Sequence, residues 1–148
     1  MKEIRTEIVI EAPRNRVWQL LTEFAVYPNW NPFIREIEGQ LVVGTQLRTV
    51  MQLGEKPQTF RPVVTEVVPE KRFAWLGKLP LGSFSGQHYF ELESRVEGRT
   101  KLIHGEYFSG WLRGPIMNRI GEATRNAFIE MNRALKAEAE QISAGANG

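Results

Sequence analysis

The chain opens on a strict alternation. Ile4, Thr6, Ile8 and Ile10 take turns with Glu3, Arg5, Glu7 and Glu11, a period of two that predicts a half-buried first strand. Ala12-Pro13 ends it, and Pro13 suits the start of a helix because the amide it lacks would be unsatisfied there. Val17, Trp18, Leu20 and Leu21 then mark a short helix. In FAVYPNWNPFI, Pro28 and Pro32 break regular structure around Trp30, which predicts a compact aromatic turn with a second short helical piece.

From Ile34 to about Trp111 the pattern holds only strand signals. Strands are expected at 34–42, 45–53, 58–68, 71–78, 83–94 and 99–111, parted by turn residues such as Gly44, Gly54 to Pro57, Pro69-Glu70, Pro80 to Gly82 and Glu97-Gly98. Connections this short make the sheet antiparallel. After Gly114-Pro115 the period changes. Ile116, Ile120, Ala123, Ala127, Met131 and Leu135 recur at spacings of three and four, with Phe128 beside them and charged residues opposite. That is an amphipathic helix of roughly six turns whose apolar stripe must be buried on the sheet. The reading is an α+β chain: a curled seven-stranded antiparallel sheet around a long C-terminal helix, with two short helices after the first strand. It predicts one domain over 1–142 and a flexible tail over 143–148.

Three stretches resemble the START-like helix-grip superfamily, also labelled SRPBCC, and within it small bacterial polyketide cyclase/dehydrase-like proteins. They are IEAPRNRVWQLLTEFAVYPNWNPF (10–33), RPVVTEVVPEKRFAWLG (61–77) and HYFELESRVEGRTKLIHGEYFSG (88–110). The resemblance spans almost the whole chain and implies a cavity between the sheet and the long helix. Members of the superfamily carry lipids and other apolar molecules, cyclise aromatic polyketides, or assist other proteins, so the fold alone selects none of these functions.

The unusual chemistry lies in the last hairpin. A three-residue loop, Val96-Glu97-Gly98 with Gly98 left-handed, pairs Leu92 with Leu102, Phe90 with His104, and His88 with Glu106. It also faces Arg95 with Arg99, a mild like-charge cost; a five-residue loop would instead set His88 against Phe108. In either register Phe84, Gly86, His88, Phe90, Leu92, His104, Glu106 and Phe108 share the inward face. Ionisable groups there form a buried pair, line a ligand cavity, or act as acid and base beside a carbonyl.

The candidate catalytic residues are therefore His88, His104 and Glu106. The three have acceptable metal-ligand types without a diagnostic motif, and no metal is assigned. Candidate ligand contacts are Trp30, Trp75, His88, Phe90, His104, Glu106, Phe108, Met117, Ile120 and Phe128, the aromatics and helix residues being equally suited to plain core. Arg61, at the start of a strand, is either a solvated surface residue or a holder of an anionic ligand group. Trp111 is expected to pack at the entrance to the final helix.

Composition narrows the classes without choosing among them. The 148 residues are 42% hydrophobic and 24% charged, the balance of a globular domain. The net charge is only +2, from 19 basic and 17 acidic residues, and no basic run occurs, so no nucleic-acid partner is expected. With no cysteine, thiolate chemistry and disulfides are excluded. The N-terminus lacks a signal-peptide pattern and no apolar run reaches membrane-spanning length. The expectation is a cytoplasmic protein, monomer or homodimer, with no cofactor and a hydrophobic small-molecule ligand. Cyclase/dehydratase-like catalysis is the first alternative and a protein-interaction module the second.

Overall fold

The computed structural model describes residues 2–146. The first strand, β1 (Lys2–Ile10), leads to helix α1 (Arg14–Thr22), a single 3-10 turn at Phe24–Val26, and a four-residue helix α2 (Tyr27–Trp30). Seven further strands follow: β2 (Ile34–Glu38), β3 (Arg48–Gln52), β4 (Pro57–Phe60), β5 (Val63–Val68), β6 (Arg72–Lys78), β7 (Ser85–Arg95) and β8 (Arg99–Ser109). The chain closes with α3 (Arg113–Ala146). Its 34 residues make about nine turns, beyond the six the apolar spacing predicts. Ala139 extends the buried stripe one turn past Leu135. Of the tail expected at 143–148, the helix takes in residues to Ala146, and the last two lie outside the described residues.

The seven expected strands are eight, in two sheets. A five-stranded sheet has the order β1-β8-β7-β6-β5 and a three-stranded sheet the order β2-β3-β4, all antiparallel. The extra strand comes from a break at Arg61-Pro62, inside what reads as one strand at 58–68. Proline has no amide to donate to a ladder. The two sheets remain stitched across this break. Leu47 donates its amide to the Pro62 carbonyl at 2.8 Å, Gly44 donates to Val64 at 2.8 Å, and Val64 donates to Thr45 at 2.9 Å. They are two parts of one curled surface, with α3 lying against its concave side.

The concave side carries the core. Ile4 and Ile10 from β1, Val17, Leu20 and Leu21 from α1, and Phe73, Phe90 and Leu102 from the central strands are all buried. Phe128, Met131 and Leu135 close over them from α3. Ahead of β2, the buried Asn31 side chain accepts from the amides of Phe33 and Ile34 at 2.9 and 2.8 Å. That local turn satisfies backbone donors where Pro32 prevents a helix from continuing.

The convex side is not plain. Tyr89 is buried there, stacked on Tyr107 at 5.3 Å with the Arg72 guanidinium 4.6 Å above its ring. Its hydroxyl donates to Glu3 at 2.6 Å. Burial and the Glu3 carboxylate together hold the Tyr89 phenol well above its ordinary range. Gly105 makes this packing possible, since a Cβ at that position would lie 2.5 Å from the Tyr89 oxygen and 2.6 Å from the Ile4 carbonyl. The carbonyl is backbone in the neighbouring strand and cannot yield. Gly105→Ala should therefore cost about 1–3 kcal/mol of overpacking strain, read as a fall in the urea midpoint with an unchanged slope.

Candidate functional site

Strand register builds the site in two rows. The three-residue loop at 96–98 does set the last hairpin, with Glu97 and Gly98 both left-handed at φ 61° and 71°. His88 pairs with Glu106 and with Trp75, giving one row of Ile4, Glu106, His88 and Trp75 across four strands. Two residues along each strand lies the next row: Thr6, His104, Phe90 and Phe73.

A chain of polar contacts runs between the rows, and its direction is fixed by bonding capacity. The Thr6 hydroxyl sits 2.7 Å from the carbonyl oxygen of His104, which can only accept, so Thr6 donates there. Its single hydrogen is thereby used, and the contact with Asn132 at 2.8 Å must be donated by Asn132 Nδ2. Asn132 Oδ1 then faces His104 Nδ1 at 2.8 Å and accepts from it. A neutral His104 protonated on Nδ1 has a bare Nε2. That nitrogen accepts from His88 Nε2–H at 2.7 Å. His88 Nδ1 in turn lies 3.3 Å from Glu106 Oε1. With Nε2–H committed to His104, this last contact is attractive only with one proton between imidazole and carboxyl.

The surroundings explain why His104 stays neutral. It has no exposed surface, and its ring stacks on Phe128 at 4.2 Å and on Phe90 at 4.3 Å. Burial, with the neighbouring His88, holds its pKa well below the ordinary 6.5, and the Asn132 hydrogen bond offsets this only in part. His88 is also buried, stacked on Trp75 at 5.2 Å. Glu106 differs: its side chain keeps 18% of its surface exposed. It fits because Gly86 on β7 has no side chain, for a Cβ there would stand 2.0 Å from Glu106 Oε2.

That carboxylate faces a pocket of about 420 Å³ between the sheet and α3. Trp75, His88, Glu106, Phe108 and Ile120, among the candidate ligand contacts, line it, and so does Arg61. The other candidate contacts do not. Phe90, His104 and Phe128 fill the interior behind His88, and Met117 is buried off the pocket wall. Trp30 packs edge-on against Tyr27 at 5.2 Å, its indole nitrogen buried without a partner among the described residues. Trp111 is 69% exposed rather than packed in, and donates its indole N–H to the Leu81 carbonyl at 3.2 Å.

The sequence reading passed over Asn132 and Thr124. Both lie on the apolar stripe of α3, where a polar residue among Phe128, Met131 and Leu135 is itself the signal. Thr124 lines the pocket one turn before Phe128, and its hydroxyl is buried with no partner among the described residues. Gly77 was also missed. It pairs with Gly86 across β6 and β7, and a Cβ on it would meet nothing within 4 Å. No group of three metal-ligating side chains converges among the described residues, since His88 and His104 turn their Nε2 atoms on each other.

A five-stranded sheet gripping a long helix, with two short helices after the first strand, defines an α+β helix-grip fold. The chain belongs to the family described as polyketide cyclase / dehydrase and lipid transport, which matches residues 1–140. No curated protein matches it. Among solved structures it is similar to a START superfamily protein from Mycobacterium smegmatis, at TM-score 0.71 and 16% identity over 95% of this chain and 98% of that one. The Zhui aromatase/cyclase from a Streptomyces species gives TM-score 0.71 and 17% identity over 99% and 98%. A protein from Nitrosomonas europaea gives 0.74 and 20% over 96% of each chain. At these identities the likeness establishes the helix-grip fold.

Two expectations test the polar chain. Asn132→Ala leaves His104 Nδ1–H buried without an acceptor and should cost about 1–3 kcal/mol, measured by urea unfolding. For pH, the sign follows from His104: its folded pKa is depressed, so the unfolded chain takes up a proton near 6.5 that the folded ring refuses. Stability is then full above that value and declines as pH falls below it, by about 1.4 kcal/mol per pH unit for one proton. Urea titrations at descending pH should show this slope, and His104→Gln should remove that share of it.

Proposed function

We propose that the protein binds a hydrophobic or aromatic small molecule in the pocket between the sheet and α3. The observation that carries this reading is the contrast inside one interior. Behind His88 the space is packed with aromatic rings, whereas in front of it about 420 Å³ stays open. Small-molecule sites have this character: mostly apolar walls, with a few placed polar groups that orient the ligand. Trp75, Phe108 and Ile120 would supply the walls, and Glu106, backed by His88, the orienting group. The family's description, which names lipid transport, supports an apolar ligand. Among the described residues no helix is long and apolar enough to cross a membrane.

A second reading rests on the proton shared by His88 and Glu106 at the pocket wall. A group that can give or take a proton beside a bound carbonyl is what general acid–base cyclisation or dehydration needs. The family's description includes cyclases and dehydrases, and one structural neighbour is an aromatase/cyclase. Binding comes first in either case; catalysis adds that the bound molecule is released changed.

Gly77 offers a clean test. A side chain there has open space, and the backbone is not in a left-handed conformation. Gly77→Leu should fill part of the pocket, leave the ligand-free melting temperature within a few degrees, and abolish retention of apolar compounds. Gently purified wild-type protein, examined by native mass spectrometry and with a panel of lipids and polyphenols, should carry or bind such a compound. Equal retention by Gly77→Leu would refute the pocket as the site.

A further inference from the structure

We infer that the pocket is polarised end to end, and that its ligand is a rigid or short amphiphile. Such a ligand carries a hydrogen-bond donor at the inner end and an anionic group at the mouth. The inference rests on the pocket being the binding site, as proposed above, and adds what that site selects.

At the inner end, Glu106 is the one acidic residue on the pocket wall among the described residues. One of its oxygens is engaged by His88 Nδ1 at 3.3 Å. A carboxylate accepts several hydrogen bonds, so capacity remains for a ligand O–H or N–H. From the helix side, the innermost pocket residue is Thr124, whose buried hydroxyl has no partner among the described residues. It stands one turn after Ile120 and one turn before Phe128, the ring that seals the interior behind His88. A ligand hydroxyl at this end would donate to the Glu106 carboxylate, the partly exposed polar group there.

The mouth has the opposite sign. Arg61 and Lys78 are the two basic residues on the wall, both exposed, and neither joins an ion pair among the described residues. Arg61 lies at the break between β4 and β5, and Lys78 is the last residue of β6. Two positive charges on the exposed rim of an apolar pocket attract an anion. A carboxylate, sulfate or phosphate group there stays near water.

Register also gives the spacing. The Trp75–His88–Glu106 row and the level of Lys78 are three residues apart on β6, about 10 Å along the strand. Between them lies the Gly77–Gly86 pair. Glu106 fills the space over Gly86, while Gly77 leaves its stretch of backbone bare toward the pocket. Glycine at such a position lets a ligand approach the sheet closely. A flat ring system would lie against it, between Ile116 and Ile120 of α3 and the β6 backbone.

Three related probes test this by isothermal titration calorimetry: naphthol, naphthoate, and a hydroxynaphthoate with its two groups at opposite ends of the rings. The hydroxynaphthoate should bind at least about tenfold more tightly than either parent, the size of one hydrogen bond to a charged group. The double variant Arg61→Ala/Lys78→Ala should erase its advantage over naphthol without changing naphthol's own affinity. Glu106→Ala should erase its advantage over naphthoate. Equal affinities for all three probes, or a double variant that leaves the ratio to naphthol intact, would overturn the polarity. If Gly77→Leu still blocks every probe in that case, the pocket remains the binding site. Failure of all three to bind, or binding indifferent to Gly77→Leu, would overturn both readings together.

Discussion

The hydrogen bond from the Thr6 hydroxyl to the His104 carbonyl decides more of this protein than its size implies. A carbonyl cannot donate, so this contact spends the only hydrogen Thr6 has. Every later link follows: the orientation of the Asn132 amide, the tautomer of His104, and the direction in which His88 points its Nε2–H. The first strand, the last strand and the C-terminal helix are thereby tied by groups that fit in one sense only. A one-residue slip of the helix would break both Asn132 contacts and leave buried donors unmatched. Apolar packing alone would tolerate such a slip far better.

The same chain divides the interior. Below it, rings of Phe73, Phe90, His104 and Phe128 pack at centroid distances between 4.2 and 5.0 Å, leaving no room for a guest. Above it, Gly77 carries no side chain and its space stays open, while Gly86 makes room for Glu106. His88 is the partition. One nitrogen faces the packed half through His104, and the other faces the pocket through Glu106. The pocket is therefore not a packing defect. Its floor is a polar group whose orientation is enforced from the far side of the core, and the aromatic cage that excludes water makes each of those bonds stronger.

How much of this the sequence reveals depends on whether the controlling interaction is local. The alternation in β1, the stripe of α3 and the inward face of the last hairpin are short-range patterns legible in sequence, whereas the pairing of His88 with Glu106 is one of two registers, decided by the loop at 96–98. The one strand expected at 58–68 is two because Pro62 has no amide for the ladder, and where the break falls depends on where the neighbouring 44–47 segment bonds. His104 and Glu106 looked like two members of one cluster, since they share a face. Their different fates, sealed against Phe128 or open to the pocket, depend on where the helix crosses the sheet. Asn132 shows in sequence only as a polar residue on an apolar stripe, because its partner Thr6 lies 126 positions away.

Function in this fold then rests on what the polar floor allows rather than on the floor alone. A buried histidine pair with no outlet would be a structural device, costly to bury and useful only for register. Here the pair ends on a carboxylate that keeps a foot in the pocket, because a glycine beside it makes room. Glu106 Oε1 lies 3.3 Å from His88 Nδ1, so the carboxylate that borders the pocket is held in place by the histidine behind it. The far end stays fixed, because His104 is held neutral by burial. A carboxylate with a rigid, neutral backing is placed to meet a ligand hydroxyl under either proposed reading. The two proposed readings, binding and acid–base chemistry, would thus draw on one piece of geometry, and a ligand's own carbonyl or hydroxyl would decide between them.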